Sequence, residues 1–195
     1  MNMACAETRS DAFTVFPELH TSRLTLRQIE PGDAGAILSL LGKPEVLRYD
    51  SFERFTTLQQ ADDLIAWFSQ AYLQKKAIFW GLTLHGCTEL IGFCKCEIEV
   101  PGVRADLGFD LQPEYWNQGV MSEALSAIVA FAFARLDVNR IEAAAATANK
   151  ASIRVLEKTG LTQEGILRQR SCLDGVCHDM AMLAILRADW ANGRG

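Results

Sequence analysis

The sequence predicts a mixed α/β layer, and three observations carry the prediction. Between Ile78 and Gln112 lie three segments with strand-like alternation, separated by His85-Gly86 and Pro101-Gly102. A long amphipathic segment, Gln118 to Leu136, follows directly. Near the end, Asp174-Gly175 joins two further alternating segments, and Asp-Gly is a strong two-residue hairpin signal.

Taken in order, Arg23 to Ile29 alternates and reads as a strand. Pro31-Gly32-Asp33 is a turn, with Asp33 placed to cap a helix through Leu41. Gly42-Lys43-Pro44 stops that helix, and Arg48 to Thr56 is an irregular stretch carrying Tyr49, Phe52 and Phe55. Thr57 is a second cap. Leu58, Ala61, Leu64, Ile65, Phe68 and Leu73 recur at helical spacing, which predicts a helix to about Lys75. Ile78–His85, Glu89–Val100 and Val103–Gln112 then form an antiparallel meander. In the long helix Leu125, Ile128, Val129, Ala132 and Leu136 share the buried side. Arg140 to Thr147 contains an alanine run with helical propensity, but its short span before Asn149 favours a buried strand. Ser152 to Lys158 is a helix with Gly160 at its C-terminal cap, and strands Gln163–Leu173 and Val176–Leu186 complete the order.

The chain has 195 residues, enough for one domain with its own core. Residues 1–18 read as a flexible tail and 19–190 as a single domain. A net charge of −5 argues against non-specific nucleic-acid binding, which needs a broad basic field. No apolar run approaches the ~20 residues of a membrane span, and the start lacks a secretory pattern. The expectation is a cytoplasmic protein. Cys5, Cys87, Cys94, Cys96, Cys172 and Cys177 contain no C-x-x-C pair and read as thiols used as small core residues, without metal. His20, His85 and His178 are dispersed and read as structural or exposed.

The chemistry concentrates between Pro113 and Gly160. A phosphate chain needs several converging N–H donors, and a helix start supplies unpaired ones with the positive end of the dipole. A glycine there removes the Cβ that would block approach. Gln118-Gly119-Val120-Met121-Ser122 meets this description. Taken alone, a glycine before a helix is a weak signal. Asn149 and Ser152 stand at the mouth of the next helix, where Asn is commonly a cap.

In combination these pieces resemble the GNAT N-acetyltransferase superfamily, and within it the RimJ/RimL-type branch. Leu107-Gly108-Phe109, Pro113-Glu114-Tyr115-Trp116, Gly119 and Ser122-Glu123-Ala124 match its coenzyme A motif. Asn149-x-x-Ser152 and Val155-Leu156-Glu157-Lys158-x-Gly160 are the most specific elements, and Arg23-Leu24-Thr25-Leu26-Arg27 and Asp189-Trp190 extend the likeness to both ends. Trp116 and Met121 replace the Arg or Gln and the small residue usual in the pattern.

The resemblance implies an α/β fold of GNAT type: a mixed, mostly antiparallel, central sheet flanked by helices, with splayed strands forming the coenzyme A slot. It implies acetyl-CoA as co-substrate. The pyrophosphate would lie on the backbone of Gln118, Gly119, Val120, Met121 and Ser122. The pantetheine arm would pair with the backbone of Phe109, Asp110 and Leu111. Gly108 is a candidate for a bulge that starts the splay. Asn149 would contact the pantetheine, and small side chains in the alanine run would leave it room, although packing under helices explains the alanines equally.

Ser152 is the candidate donor to the departing thiolate. A thiol pKa near ~8.5 leaves that thiolate only ~2 kcal/mol uphill at neutral pH, so the donor helps without being essential. Asp106 is the candidate base. An α-amine of pKa ~7.8 costs ~1 kcal/mol to deprotonate at pH 7, against ~4.6 for a lysine amine. The Tyr49–Phe55 segment and Trp80 would line the acceptor side, though core packing explains them as well. The expected partner is an amine: the N-terminus of a ribosomal or other protein, or a small polyamine, amino acid or antibiotic. A non-catalytic acyl-CoA sensor is the competing class. A monomer and a homodimer both fit.

Overall fold

In the computed structural model, which describes residues 12–50, 53–99, 103–173 and 176–193, the chain builds one sheet of eight strands. In chain order they are β1 (Leu19–His20), β2 (Leu24–Gln28), β3 (Ala77–Leu84), β4 (Gly92–Glu99), β5 (Arg104–Leu111), β6 (Arg140–Ala146), β7 (Thr162–Leu173) and β8 (Val176–Leu186). The helices are α1 (Ala34–Leu41), α2 (Pro44–Leu47), α3 (Leu58–Leu73), α4 (Val120–Arg135), α5 (Lys150–Lys158) and α6 (Arg187–Ala191). The spatial order is β1-β2-β3-β4-β5-β6-β8-β7. Among the described residues β5–β6 runs parallel and the other neighbours run antiparallel.

Helices cover both faces of the sheet. On one face α4 buries Val120, Met121, Ala124, Leu125, Ile128, Val129 and Ala132 against Cys94, Cys96, Ala105, Leu107 and Leu111. On the other, α1 and α3 pack Ile37, Leu40, Ile65 and Phe68 against Phe79 and Phe93, with the Phe68 and Phe79 rings stacked at 4.0 Å. Alternation along β5 therefore sends Leu107 and Leu111 toward α4 and Asp106 and Asp110 toward the α1–α3 side.

Local signals account for most boundaries. Thr57 caps α3 as expected, in a reciprocal box: its hydroxyl accepts from the Gln60 N–H at 3.4 Å, and the Gln60 side chain accepts from the Thr57 N–H at 3.0 Å. Gly160, at φ +93°, follows α5 in the left-handed region that favours glycine. The alanine run is a strand because β8 pairs with it along its length, from Arg140↔Leu186 to Ala146↔Met180.

Other expectations are corrected. Asp33 stands at the N-cap position of α1, but its side chain makes no cap bond to that helix. Its carboxylate grips Arg27 at 2.7 and 2.8 Å and accepts from the Glu30 N–H at 2.8 Å, boxing a short 3-10 turn at Pro31–Asp33 that precedes α1. Gly108 makes no bulge: β4–β5 pairing runs unbroken through Lys95↔Gly108. The absent side chain there gives room to Lys95, whose Cε would lie 3.3 Å from an added Cβ. The segment expected to be a loose tail is docked from Ala12 onward, which is 2% exposed. Phe16 packs on Tyr72, and Trp80 Nε1 donates to the Pro17 carbonyl at 2.6 Å. Trp80 is thus a core residue on the α4 side, not an acceptor wall.

The cysteines divide. Cys94 and Cys96 are buried core thiols as expected, Cys87 is exposed, and Cys172 and Cys177 form a disulfide across β7 and β8. Cys5, Phe52, Pro101-Gly102 and the Asp174-Gly175 turn lie outside the described residues.

Candidate active site

The pairing of β5 with β6 stops at Asp106↔Glu142, although β5 continues to Leu111 and β6 to Ala146. The strands part there and open a cleft of about 1340 Å³, lined by Leu107 to Leu111 on one side and Ala143 to Ala146 on the other. β6 stays bonded to β8, and β5 stays bonded to β4. The edges facing the gap therefore present main-chain groups to whatever enters it. Buried main-chain groups demand partners, so this edge suits a ligand that pairs like a strand.

One end of the cleft is the start of α4. Gly119 adopts φ +75°, a left-handed conformation that brings the chain into the helix, so the helix begins at Val120, two residues later than the sequence suggested. No side chain caps this end. Val120 and Met121 turn their side chains into the core, where Met121 Sδ lies 3.4 Å from Cys94 Sγ, so these residues face the cleft with backbone. Gln118 donates its amide to the Glu114 carbonyl at 2.7 Å, and Trp116 Nε1 donates to the Leu111 carbonyl at 2.8 Å. The loop is thereby tied to the end of β5. Ser122, half-buried, completes the lining of this end.

A set of residues outside the motif holds this helix start. The Glu123 carboxylate accepts from Thr21 Oγ1 at 2.5 Å, Ser22 Oγ and Arg23 N at 2.9 Å, and Arg23 Nε at 2.7 Å. Burial works against its charge, but these donors outweigh burial and bring its pKa down to about 2. Arg23 also donates to the Gln118 carbonyl at 3.0 Å.

The second helix start is closed differently. Asn149 Oδ1 accepts from the Ser152 N–H at 3.1 Å, so Asn149 is a helix cap, and it also lines the cleft. Ser152 is half-buried and lines the cleft. α5 adds Lys150, Arg154 and Lys158 to the lining.

At the vertex where the strands part, Asp106 meets Lys95 at 2.9 Å, and Lys95 also meets Glu97 at 3.0 Å. Burial raises the Asp106 pKa, partly offset by Lys95. For Lys95, burial opposes the charge, and Asp106 and Glu97 overcome it to raise the pKa. Asp110 was expected to contribute only backbone. Its carboxyl is 8% exposed, reaches the α1–α3 side of the cleft and hydrogen-bonds Asp50; burial first, then Asp50, pushes its pKa well up. Tyr49 and Trp67 line the same side. Lys95, Glu97, Glu142 and Trp67 were not singled out in the sequence, because only the cross-strand register and the α3 packing bring them here.

The splayed parallel pair and the open helix start are the geometry that the coenzyme motif implied, and comparison with known proteins decides the family. The Acetyltransferase (GNAT) domain family matches residues 23–162. The chain belongs to the GNAT family of acetyltransferases. It is an N-acetyltransferase with RimJ/RimL-like relatives. YoaA, an uncharacterised N-acetyltransferase of Bacillus subtilis (strain 168), is 37% identical over 174 residues, covering 89% of this chain and 98% of that protein. The [ribosomal protein uS5]-alanine N-acetyltransferase of Escherichia coli (strain K12) is 27% identical over 128 residues, 65% of this chain and 66% of the relative. The structure of RimL, a ribosomal L7/L12 alpha-N-protein acetyltransferase in complex with coenzyme A, superposes with TM-score 0.78 at 22% identity, covering 87% of this chain and 98% of that one. At that identity the likeness establishes the fold. Among the described residues no helix is long and apolar enough to cross a membrane, and no group of three or more potential metal ligands occurs.

Proposed function

We propose that this GNAT enzyme binds acetyl-CoA along the cleft and transfers the acetyl group directly to a primary amine, with both substrates bound together. The observation that carries the reading is the β5–β6 gap, which runs from the uncapped start of α4 to the Asp106–Lys95 vertex. The pyrophosphate would take the N–H groups of Gln118 to Ser122, and the pantetheine would pair with Phe109 to Leu111. N–H groups near Phe109 to Leu111 would also hold the tetrahedral oxyanion. Ser152, at the mouth of α5, would donate to the departing thiolate. Asp106, at the last pair before the strands part, would take the amine proton directly or through water. Its raised proton affinity suits that task.

Atoms balance simply. The amine nitrogen bonds the acetyl carbon, the carbon–sulfur bond breaks, and the amine proton leaves through Asp106 while the sulfur departs as thiolate. The N-terminal α-amine of a ribosomal or other protein is the first acceptor proposed, supported by the specificity named for the Escherichia coli relative. A small amine is the second, supported by the acids that line the α1–α3 side of the cleft.

Release of coenzyme A thiol, followed across a panel of amines and peptides, tests the reading. Release that requires an acceptor is expected. Binding of acetyl-CoA with no release across the panel would make the protein a sensor instead.

A further inference from the structure

One buried acid in the cleft has no part in the transfer step above. Asp110 is more than nine-tenths buried yet lines the cleft. Among the described residues the group that hydrogen-bonds it is a second acid, Asp50. A buried carboxyl is costly unless a cation or several N–H groups meet it. The same protein shows the ordinary solution at Asp33, which Arg27 grips with two hydrogen bonds. Two carboxyl groups in contact hold a proton between them, and this leaves a place that a cation fills better.

The neighbours fit the same occupant. The nearest lysine on the sheet, Lys95, is already ion-paired to Asp106 and Glu97. Arg48 lies over the Tyr49 ring at 5.3 Å. Register places Asp110 directly across from Phe93, and the lining adds Tyr49, Phe79 and Trp67, the last 53% exposed despite its size. Aromatic faces beside a carboxylate form the setting in which proteins hold ammonium groups.

We propose that Asp110, with Asp50, binds a second positive charge on the acceptor, an ammonium carried close to the amine that is acetylated. This rests on the N-acetyltransferase reading and narrows its acceptor to dications. Asp110 also marks the direction of approach. Its strand runs beside the pantetheine path, while its side chain points to the α1–α3 face, so the acceptor enters from that face.

The test compares matched probes that differ by one charge. One pair is 1,5-diaminopentane against pentylamine. The other is a short peptide beginning Ala-Lys against the same peptide with norleucine for lysine. Thiol release gives kcat/KM for each with wild type, Asp110→Asn and Asp50→Asn. Wild type is expected to favour the dication in at least one pair by on the order of tenfold, and each variant to reduce that ratio to within about twofold. Preference in the diamine pair points to a small amine, and in the peptide pair to a protein N-terminus. Equal ratios in wild type, or ratios that survive in both variants, overturn the proposal. Calorimetric titration of the coenzyme A-loaded protein with both dications needs no turnover and separates the two readings. Binding that Asp110→Asn abolishes, without turnover, contradicts acetyl transfer and keeps the cation seat. Absence of binding to wild type removes the seat. Asp50, which is less buried than Asp110, supplies the variant that leaves the buried strand position intact.

Discussion

The two walls of the cleft are made of different material. The wall at the start of α4 presents main chain: Val120 and Met121 bury their side chains, Gln118 turns its amide onto its own loop, and no side chain closes the helix end. The wall toward α1–α3 presents side chains: Asp50, Lys95, Asp106 and Asp110 with Tyr49 and Trp67. A main-chain wall can serve one constant partner, since every residue type carries the same N–H. A side-chain wall can be rebuilt for each acceptor. Under the proposed function, with acetyl-CoA on the main-chain wall, this division would let specificity change without disturbing the donor site.

The largest expected break in that contrast is Gly119→Asp. It places a carboxylate at the helix end proposed for the pyrophosphate. An added Cβ meets Arg23 Nη2 at 3.6 Å, and the left-handed backbone at φ +75° adds strain that Asp tolerates better than most residues. Loss of about two charge-assisted hydrogen bonds and added repulsion predict a KM for acetyl-CoA raised on the order of 100-fold or more. Steady-state kinetics at saturating acceptor measures it. On the other wall, Asp106→Asn is expected to lower turnover by about tenfold and to remove the acid limb of the pH–rate profile. An unchanged profile would take the proton-acceptor role away from Asp106.

Glu123→Gln tests the support behind the main-chain wall. The Glu123 pKa is depressed in the fold, to about 2, so its stabilising contribution is present above the ordinary carboxylate pKa and is lost as pH falls toward 2. Urea midpoints of wild type and variant are expected to differ at pH 7 and to converge as the pH is lowered from about 4.5 toward 2. A gap that persists at low pH would show that packing, not the charge, is the contribution.

The smaller effects sharpen the contrast. Ser152→Ala is expected to slow turnover a few-fold without abolishing it, because the thiolate is only ~2 kcal/mol uphill at neutral pH. Met121→Leu is expected to change the KM for acetyl-CoA less than about twofold, since a volume-conserving swap in the core leaves the N–H in place. A large change in that KM would show that side chains, after all, shape the donor wall.

The walls also differed in how much of them the sequence disclosed. Gly119 was legible only in company: alone a glycine before a helix is a weak signal, and the surrounding motif singled it out. The left-handed turn at φ +75° that selects glycine there came from the structure. The succession of strands along the chain was legible from alternation and turn residues, apart from the two-residue β1, whereas their order across the sheet was not. Asn149 was ambiguous for a physical reason: an Asn before a helix caps it whether or not a ligand is near, and here it does cap. Asp106 and Asp110 could be placed on one face by alternation, but their partners could not. Lys95 reaches Asp106 through the β4–β5 register, and Asp50 reaches Asp110 from a segment without periodicity. The docking of Ala12 to Pro17 was hidden because its contacts, Phe16 on Tyr72 and Pro17 on Trp80, are distant in sequence. The Gly108 bulge failed because glycine there makes space for the Lys95 stem instead of bending the strand.

The central claim is that acetyl-CoA lies in the β5–β6 gap with its pyrophosphate on the start of α4. Backbone amide NMR of the 15N-labelled protein, titrated with coenzyme A, tests it directly. The account predicts that the largest shifts fall on Gln118 to Ser122 and on Phe109 to Leu111. Saturable binding that leaves both segments unmoved and shifts another surface would contradict it.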